Sequence, residues 1–310
     1  MKSVTPIRMS AILMAAAFLF AGCEKENENR VDNQPVKARI TSVIDGMSTR
    51  ASGTAWAPGD RIGITATKAD GTVLLSNAPY VTTDGNGTFT PEGDEFYYQD
   101  GDDVTFTAYY PFAESSYITD DGGMMFQIGG LESQKPENQP KFDFLFATTT
   151  GSSSSPDLQL RFRHCMSRFV LRFLPGTGVA SLDDITYELR GIRTTGVFNT
   201  LTGETIALNA SVSVGLTIPG SNASELTSAL IFGPQQSETE KTLSLTMRSK
   251  TYTATFKFKE NPNNGGVREL AAGHTYTYNV KINNTSMTIS PATVNEWVQG
   301  GSEDINSTNY

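Results

Sequence analysis

LQLRFRHCMSRFVLRF, residues 158–173, alternates apolar and polar side chains along nearly its whole length, and its reading decides the fold class. Leu158, Leu160, Phe162 and His164 occupy even positions, whereas Phe169, Leu171 and Phe173 occupy odd ones. Successive side chains of a strand point to opposite faces. The inward face must therefore change parity near Met166 and Ser167, and a bulge or bend belongs there. His164 falls on or near the apolar face, the usual place of a hydrogen-bonded core histidine.

The same period of two recurs on both sides of this stretch. Val104, Phe106, Ala108 and Tyr110 share one face of a strand. Ile185, Tyr187 and Leu189 repeat the pattern, as do Val212, Val214, Leu216 and Ile218, and then Leu243, Leu245 and Met247. Tyr252, Ala254, Phe256 and Phe258 follow, with Tyr276, Tyr278, Val280 and Ile282 after them. Turn residues punctuate these runs, at Asp84–Gly87, Pro91–Gly93, Asp121–Gly123, Gly176–Gly178 and Asn261–Gly266. Helical periodicity is scarcely visible. Short alternating strands with frequent turns predict an all-β chain of antiparallel sandwiches. The small-residue run TTTGSSSSP, 148–156, is the best place to divide them. The division gives an N-terminal β-sandwich domain over 36–152 and a C-terminal one over 153–300, with a polar tail at 301–310. The competing reading of that run is a long surface loop inside one domain.

The start of the chain reads as an export signal. Lys2 and Arg8 precede the apolar run Met9–Ala21, which is too short to span a bilayer comfortably. It ends at Ala21-Gly22-Cys23, which resembles the lipobox of bacterial lipoproteins, with Phe20 where Leu is more usual. Residues 1–22 are then a lipoprotein signal peptide and Cys23 is the lipidation site, anchoring the chain to a membrane through its acyl groups. Residues 23–35 form an acidic tether. Its opening run, Glu24-Lys25-Glu26-Asn27-Glu28, also resembles the surface-export signal of Bacteroidota lipoproteins.

Composition narrows the function classes. The chain holds 24 basic residues, two of them in the leader, against 33 acidic ones. So acidic a chain repels phosphate backbones, so nucleic acid is excluded as a partner. With Cys23 lipidated, Cys165 stands alone and no disulfide framework exists. HExxH, CxxC and GxSxG are all absent, and the two histidines, His164 and His274, show no triad spacing. Glycosidase chemistry needs two carboxylates on rigid elements, and the acids here cluster in turns. Asp84, Asn86, Thr88 and Glu95 fall at four calcium-loop positions, yet Phe89 occupies the place of the required glycine. That segment reads as a hairpin turn. Tyr97, Tyr98, Tyr109 and Tyr117 are candidates to stack on sugar rings or, more simply, to pack in the sandwich. No catalytic residue, cofactor or metal is implied.

The segment 36–50, VKARITSVIDGMSTR, carries the functional reading. Val36, Ala38, Ile40 and Ile44 alternate with polar residues, interrupted by Ser42, and read as one strand. The small-residue linker 47–53 that follows holds Arg50, open to trypsin-like cleavage. A cut there frees the strand to leave and exposes an apolar groove with an unpaired edge, a template for an incoming strand. The plainer alternative is an ordinary first strand and loop with no processing.

Trp56-Ala57-Pro58-Gly59-Asp60-Arg61-Ile62-Gly63 resembles the W-x-x-G-D-x-I-G motif of the Bacteroidota fimbrillin family. Phe106–Pro111 (FTAYYP), Phe162–Ser167 (FRHCMS), Gly273–Tyr278 (GHTYTY) and Val294–Trp297 (VNEW) agree in order. The resemblance implies two tandem transthyretin-like sandwiches and a subunit of type V pili, assembled by protease-triggered strand exchange after export to the outer membrane surface. Arg50 matches the cleavage position. Ser286–Val298 matches the donor strand, with Met287, Ile289, Val294 and Trp297 as its candidate residues, although Pro291 breaks its ladder. The implied partners are other fimbrial subunits, and glycans or proteins of host or bacterial surfaces. The alternative is a monomeric glycan-binding or adhesive surface lipoprotein that does not polymerise.

Overall fold

Alternating sequence becomes paired strand throughout the computed structural model, which describes residues 35–45, 56–128, 132–208 and 213–297. The leader, Cys23, most of the tether, Arg50, Val212 and the tail lie outside the described residues.

Seven strands enclose the first core. They are β1 (Arg39–Ile44), β2 (Arg61–Lys68), β3 (Val73–Val81), β4 (Thr88–Pro91), β5 (Val104–Tyr110), β6 (Leu145–Gly151) and β7 (Asp157–His164). Their ladder runs β7–β1–β4–β3–β2–β5–β6, and β6 pairs back to β7, so the first of the expected sandwiches closes into a barrel without a free edge. The inward positions are those the alternation selects: Ile62, Ile64, Phe106, Ala108, Leu158, Leu160 and Phe162. Trp56 fills one end, its ring edge-on to Phe89, Tyr110 and Phe162. The W-x-x-G-D motif is therefore a plug held by a turn. The Ala57 amide donates to Asp60 Oδ2 and the Tyr110 hydroxyl to Asp60 Oδ1.

The second core is a sandwich of two sheets. One sheet joins β8 (Ser167–Pro175), β11 (Leu226–Phe232), β14 (His274–Ile282), β15 (Met287–Ile289) and β16 (Thr293–Glu296). The other joins β9 (Ile185–Arg190), β10 (Val214–Ile218), β12 (Lys241–Met247) and β13 (Lys250–Phe256). Phe169 and Phe173 of the first meet Phe256 and Tyr187 of the second. The Tyr187 hydroxyl bonds Ser228 across the gap at 2.8 Å.

The two cores share a wall. Leu145, Ala147, Phe106 and Ala108 point into the barrel, whereas Phe146 and Tyr109, on the other faces of β6 and β5, belong to the sandwich core. The run 148–156, where the division at 152/153 is expected, is part strand and part turn. Thr148–Gly151 is strand, Ser152–Ser155 is a tight turn, and β7 beyond it still lines the barrel. Beyond it the inward residues pass from the barrel core to the sandwich core at Cys165–Met166, where the inward face changes parity. The bulge read from the sequence is thus the junction between the cores.

Candidate functional site

β1 bears the expected function, and its two neighbours in the barrel define its seat. The expected strand from Val36 to Ile44 is divided. Val36 and Lys37 pair with Tyr98 and Tyr97, the Ala38 amide donates to the Phe96 carbonyl, and β1 proper begins at Arg39. Ala38, Ile40 and Ile44 are buried in the barrel core, while Val36 is half-buried and only packs against it. Ser42, read from the sequence as an interruption, keeps the inward register. It is buried, and its hydroxyl and amide both donate to the Gly87 carbonyl, at 3.2 and 2.7 Å.

On one side β1 runs parallel to β7, from Arg39 opposite Asp157 to Ile44 opposite Phe162. On the other it meets β4 antiparallel, only at Ile40 opposite Phe89 and Thr41 opposite Thr88. Its hold is therefore mainly on β7. Arg39 clamps the start of the register through a two-pronged pair with Asp157, at 2.5 and 2.9 Å. That hydrogen bond draws the exposed Asp157 carboxyl below the usual carboxylate range. Lys37 and Tyr97 do the same to Glu95 just upstream. At the far end the Asp45 amide donates to the Phe162 carbonyl at 2.7 Å, and Trp56 packs on the Phe162 ring with centroids 5.2 Å apart. Both flanks of the 46–55 connection, which carries Arg50, thus rest on Phe162.

Glycine makes the close approach on the β4 side possible. Gly87 has φ +86°, and a Cβ there would come within 2.6 Å of the Ser42 carbonyl oxygen. Only the absence of that carbon lets β1 lie so close.

The candidate donor residues lie along the outer edge of the sandwich sheet that holds β14. Met287 lies opposite Ile282, Ile289 opposite Val280, and Val294 opposite Tyr276, all on β14. Pro291 occupies the break between β15 and β16, on the outer side of the sheet, where its missing N–H leaves no ladder bond unmade. Trp297 closes the return. Its amide donates to the Gly273 carbonyl at 2.7 Å and its ring stacks on His164. His164 is a buried core histidine whose Nδ1 lies 2.8 Å from Asp143 Oδ1. Sequence reasoning missed this Asp143–His164–Trp297 group, whose members are far apart in the chain. In this structure the C-terminal return is folded on its own chain.

The other aromatic candidates do not form a platform. Tyr98 and Tyr109 are buried, Tyr97 donates to Glu95, and Tyr117 alone stands well out of the surface. Asp84 and Asn86 build consecutive side-chain turns, accepting from the amides of Asn86 and Thr88.

A family model described as fimbrillin-like matches residues 49–297, a span that opens just ahead of Arg50 and leaves β1 outside. A candidate cell adhesion protein from Bacteroides ovatus is 27% identical with a TM-score of 0.73, over 85% of this chain and 98% of that one. Another, from Bacteroides uniformis, is 22% identical with a TM-score of 0.66, over 85% and 99%. A third, from Parabacteroides distasonis, is 11% identical with a TM-score of 0.54, over 87% and 99%. The last two bear on the fold alone. No curated protein matches the chain.

Proposed function

The chain belongs to the fimbrillin-like family, and from that premise we propose that it is an adhesive cell-surface protein of fimbrial type that assembles by strand exchange. In this reading the leader is removed and Cys23 carries the lipid anchor on the outer membrane. A surface protease cuts after Arg50, β1 leaves the barrel, and a strand from a neighbouring subunit takes its place. Catalysis plays no part.

The observation that carries the proposal is the seat of β1. Two buried isoleucines and an alanine contribute roughly 4–7 kcal/mol of gross apolar burial. Their departure uncovers an apolar trough between β7 and β4 with an unpaired edge on each side. An incoming strand recovers both the burial and the main-chain bonds. The assigned donor is the neighbour's return, Met287–Trp297, carrying Met287, Ile289, Val294 and Trp297.

One observation favours a second reading, a monomeric adhesive or glycan-binding surface lipoprotein. The return is already packed on β14 with Trp297 buried. Placing Met287 at the position of Ala38 also puts Pro291 at that of Ser42, where an N–H donates to Gly87. Proline has none to give.

Limited trypsin digestion of the Cys23→Ser chain separates the two. SDS-resistant ladders that grow with protein concentration, and vanish in Ile289→Asp, are the result expected of the pilin. Persistence of a monomer at high concentration after complete cutting would leave the second reading in possession.

A further inference from the structure

We propose that a groove on the sandwich, remote from β1, binds an anionic sugar unit. The groove has a volume of about 330 Å³ and lies between residues 255–260, Arg268 and residues 289–291. Lys257 and Lys259 share one wall, because Phe258 between them and Phe256 before them turn inward and are buried. Both lysines are exposed, and among the described residues neither side chain has a hydrogen-bond or ion-pair partner.

The other charges of the groove are already matched. Arg268 pairs with Glu238 and Glu260, and one guanidinium nitrogen donates to the Phe258 carbonyl at 3.0 Å. Its role is to hold the 258–260 segment so that the two lysines stand side by side. With Glu260 so engaged, the groove presents two free cations in a chain whose acids outnumber its bases. Such a site draws an anion against the overall field of the molecule.

Size and backbone chemistry narrow the ligand. A groove near 300 Å³ is the lower end of small-molecule sites and holds a ring rather than a bare ion. Pro291 supplies an exposed apolar wall and Ser290 a hydroxyl. The carbonyls of Phe258 and Lys259 are taken by Arg268 and by the Glu269 amide, so this wall offers neither of them to a ligand. Two cations, a hydroxyl and an apolar wall around a ring-sized space suit a sugar ring bearing a carboxylate or a sulfate ester.

This assignment stands apart from assembly, since it needs neither cleavage at Arg50 nor a second copy. One link exists between the two: Ser290 and Pro291 belong to the C-terminal return, so the groove is complete only while that return lies on β14.

Calorimetric titration of the intact Cys23→Ser chain tests the site with four probes: tetragalacturonate, a κ-carrageenan tetrasaccharide, maltotetraose and tetraglutamate. Saturable one-to-one binding of either anionic sugar supports the proposal, and the arm that binds names the anion. Binding should weaken as salt rises. Lys257→Gln with Lys259→Gln should weaken it at least about tenfold, at an unchanged melting temperature, while Lys141→Gln leaves it intact. Silence of both sugars, equal loss in Lys141→Gln, or tetraglutamate binding as tightly as either sugar overturns it.

Discussion

His164 and Trp297 lie face to face, ring centroids 4.3 Å apart and planes within 6° of parallel. The stack joins the end of β7, the strand on which β1 rests, to the last described residue of the C-terminal return. Replacing Trp297 by Ala removes a buried indole and uncovers the histidine. The expected cost is about 3–5 kcal/mol, the usual range for such a truncation in a core. Urea unfolding measures it, and a loss under about 1 kcal/mol would place Trp297 among surface residues in energetic effect.

Gly87 is the second test of how β1 is seated. Ala there meets both the left-handed backbone, worth about 1–2 kcal/mol, and the Ser42 carbonyl. Gly87→Ala should therefore destabilise the chain and raise amide exchange along β1 more than along β12. Uniform exchange across both strands would count against a local effect.

How far the fold shows in the sequence can be argued from these residues. Inward positions on β5, β7, β9 and β14 follow from alternation alone, because burial on one face imposes a period of two. The parity change after His164 was visible, but its meaning was not. It marks the place where inward residues pass from one core to the other. The small-residue run 148–156 is the end of β6 and a tight turn, since small residues suit turns as well as linkers. Ser42 looked like a break because a hydroxyl reads as polar until its acceptor, the Gly87 carbonyl, is known. The parallel pairing of β1 with β7 and the Asp143–His164–Trp297 group join residues far apart in the chain, and no local pattern encodes them. An exposed lysine on an alternating strand is ordinary, so Lys257 and Lys259 carry no signal in the sequence alone. Their lack of acidic partners emerges only from the fold.

Cys165 offers a check on the junction itself. Burial pushes its thiol up to about 12, so at pH 8 it is protonated and enclosed. In a Cys23→Ser chain, maleimide should label Cys165 only after unfolding. The same shift gives a sign to alkaline stability. The folded state keeps a proton that the unfolded thiol releases above about 8.5, so this contribution is whole below that pH and is lost progressively towards 12. Cys165→Ala should flatten that alkaline decline. An identical decline in the variant would assign it to other groups.

Cutting after Arg50 should not by itself release β1. The strand is bonded on both sides, to β7 and to β4, and its apolar residues fill the barrel core. Leaving would forfeit that burial and turn an apolar trough and two strand edges to water. Release therefore requires an incoming strand, and exchange should depend on its concentration. After trypsin treatment, the fragment ending at Arg50 should co-elute with the barrel on a sizing column and separate only in denaturant. A labelled peptide of residues 36–44 should then replace it slowly, and faster in Ile40→Ala, where roughly 2–5 kcal/mol of the seat is lost. Spontaneous loss of the fragment from a cut, still monomeric protein would show that β1 is held by its covalent connection and not by its seat.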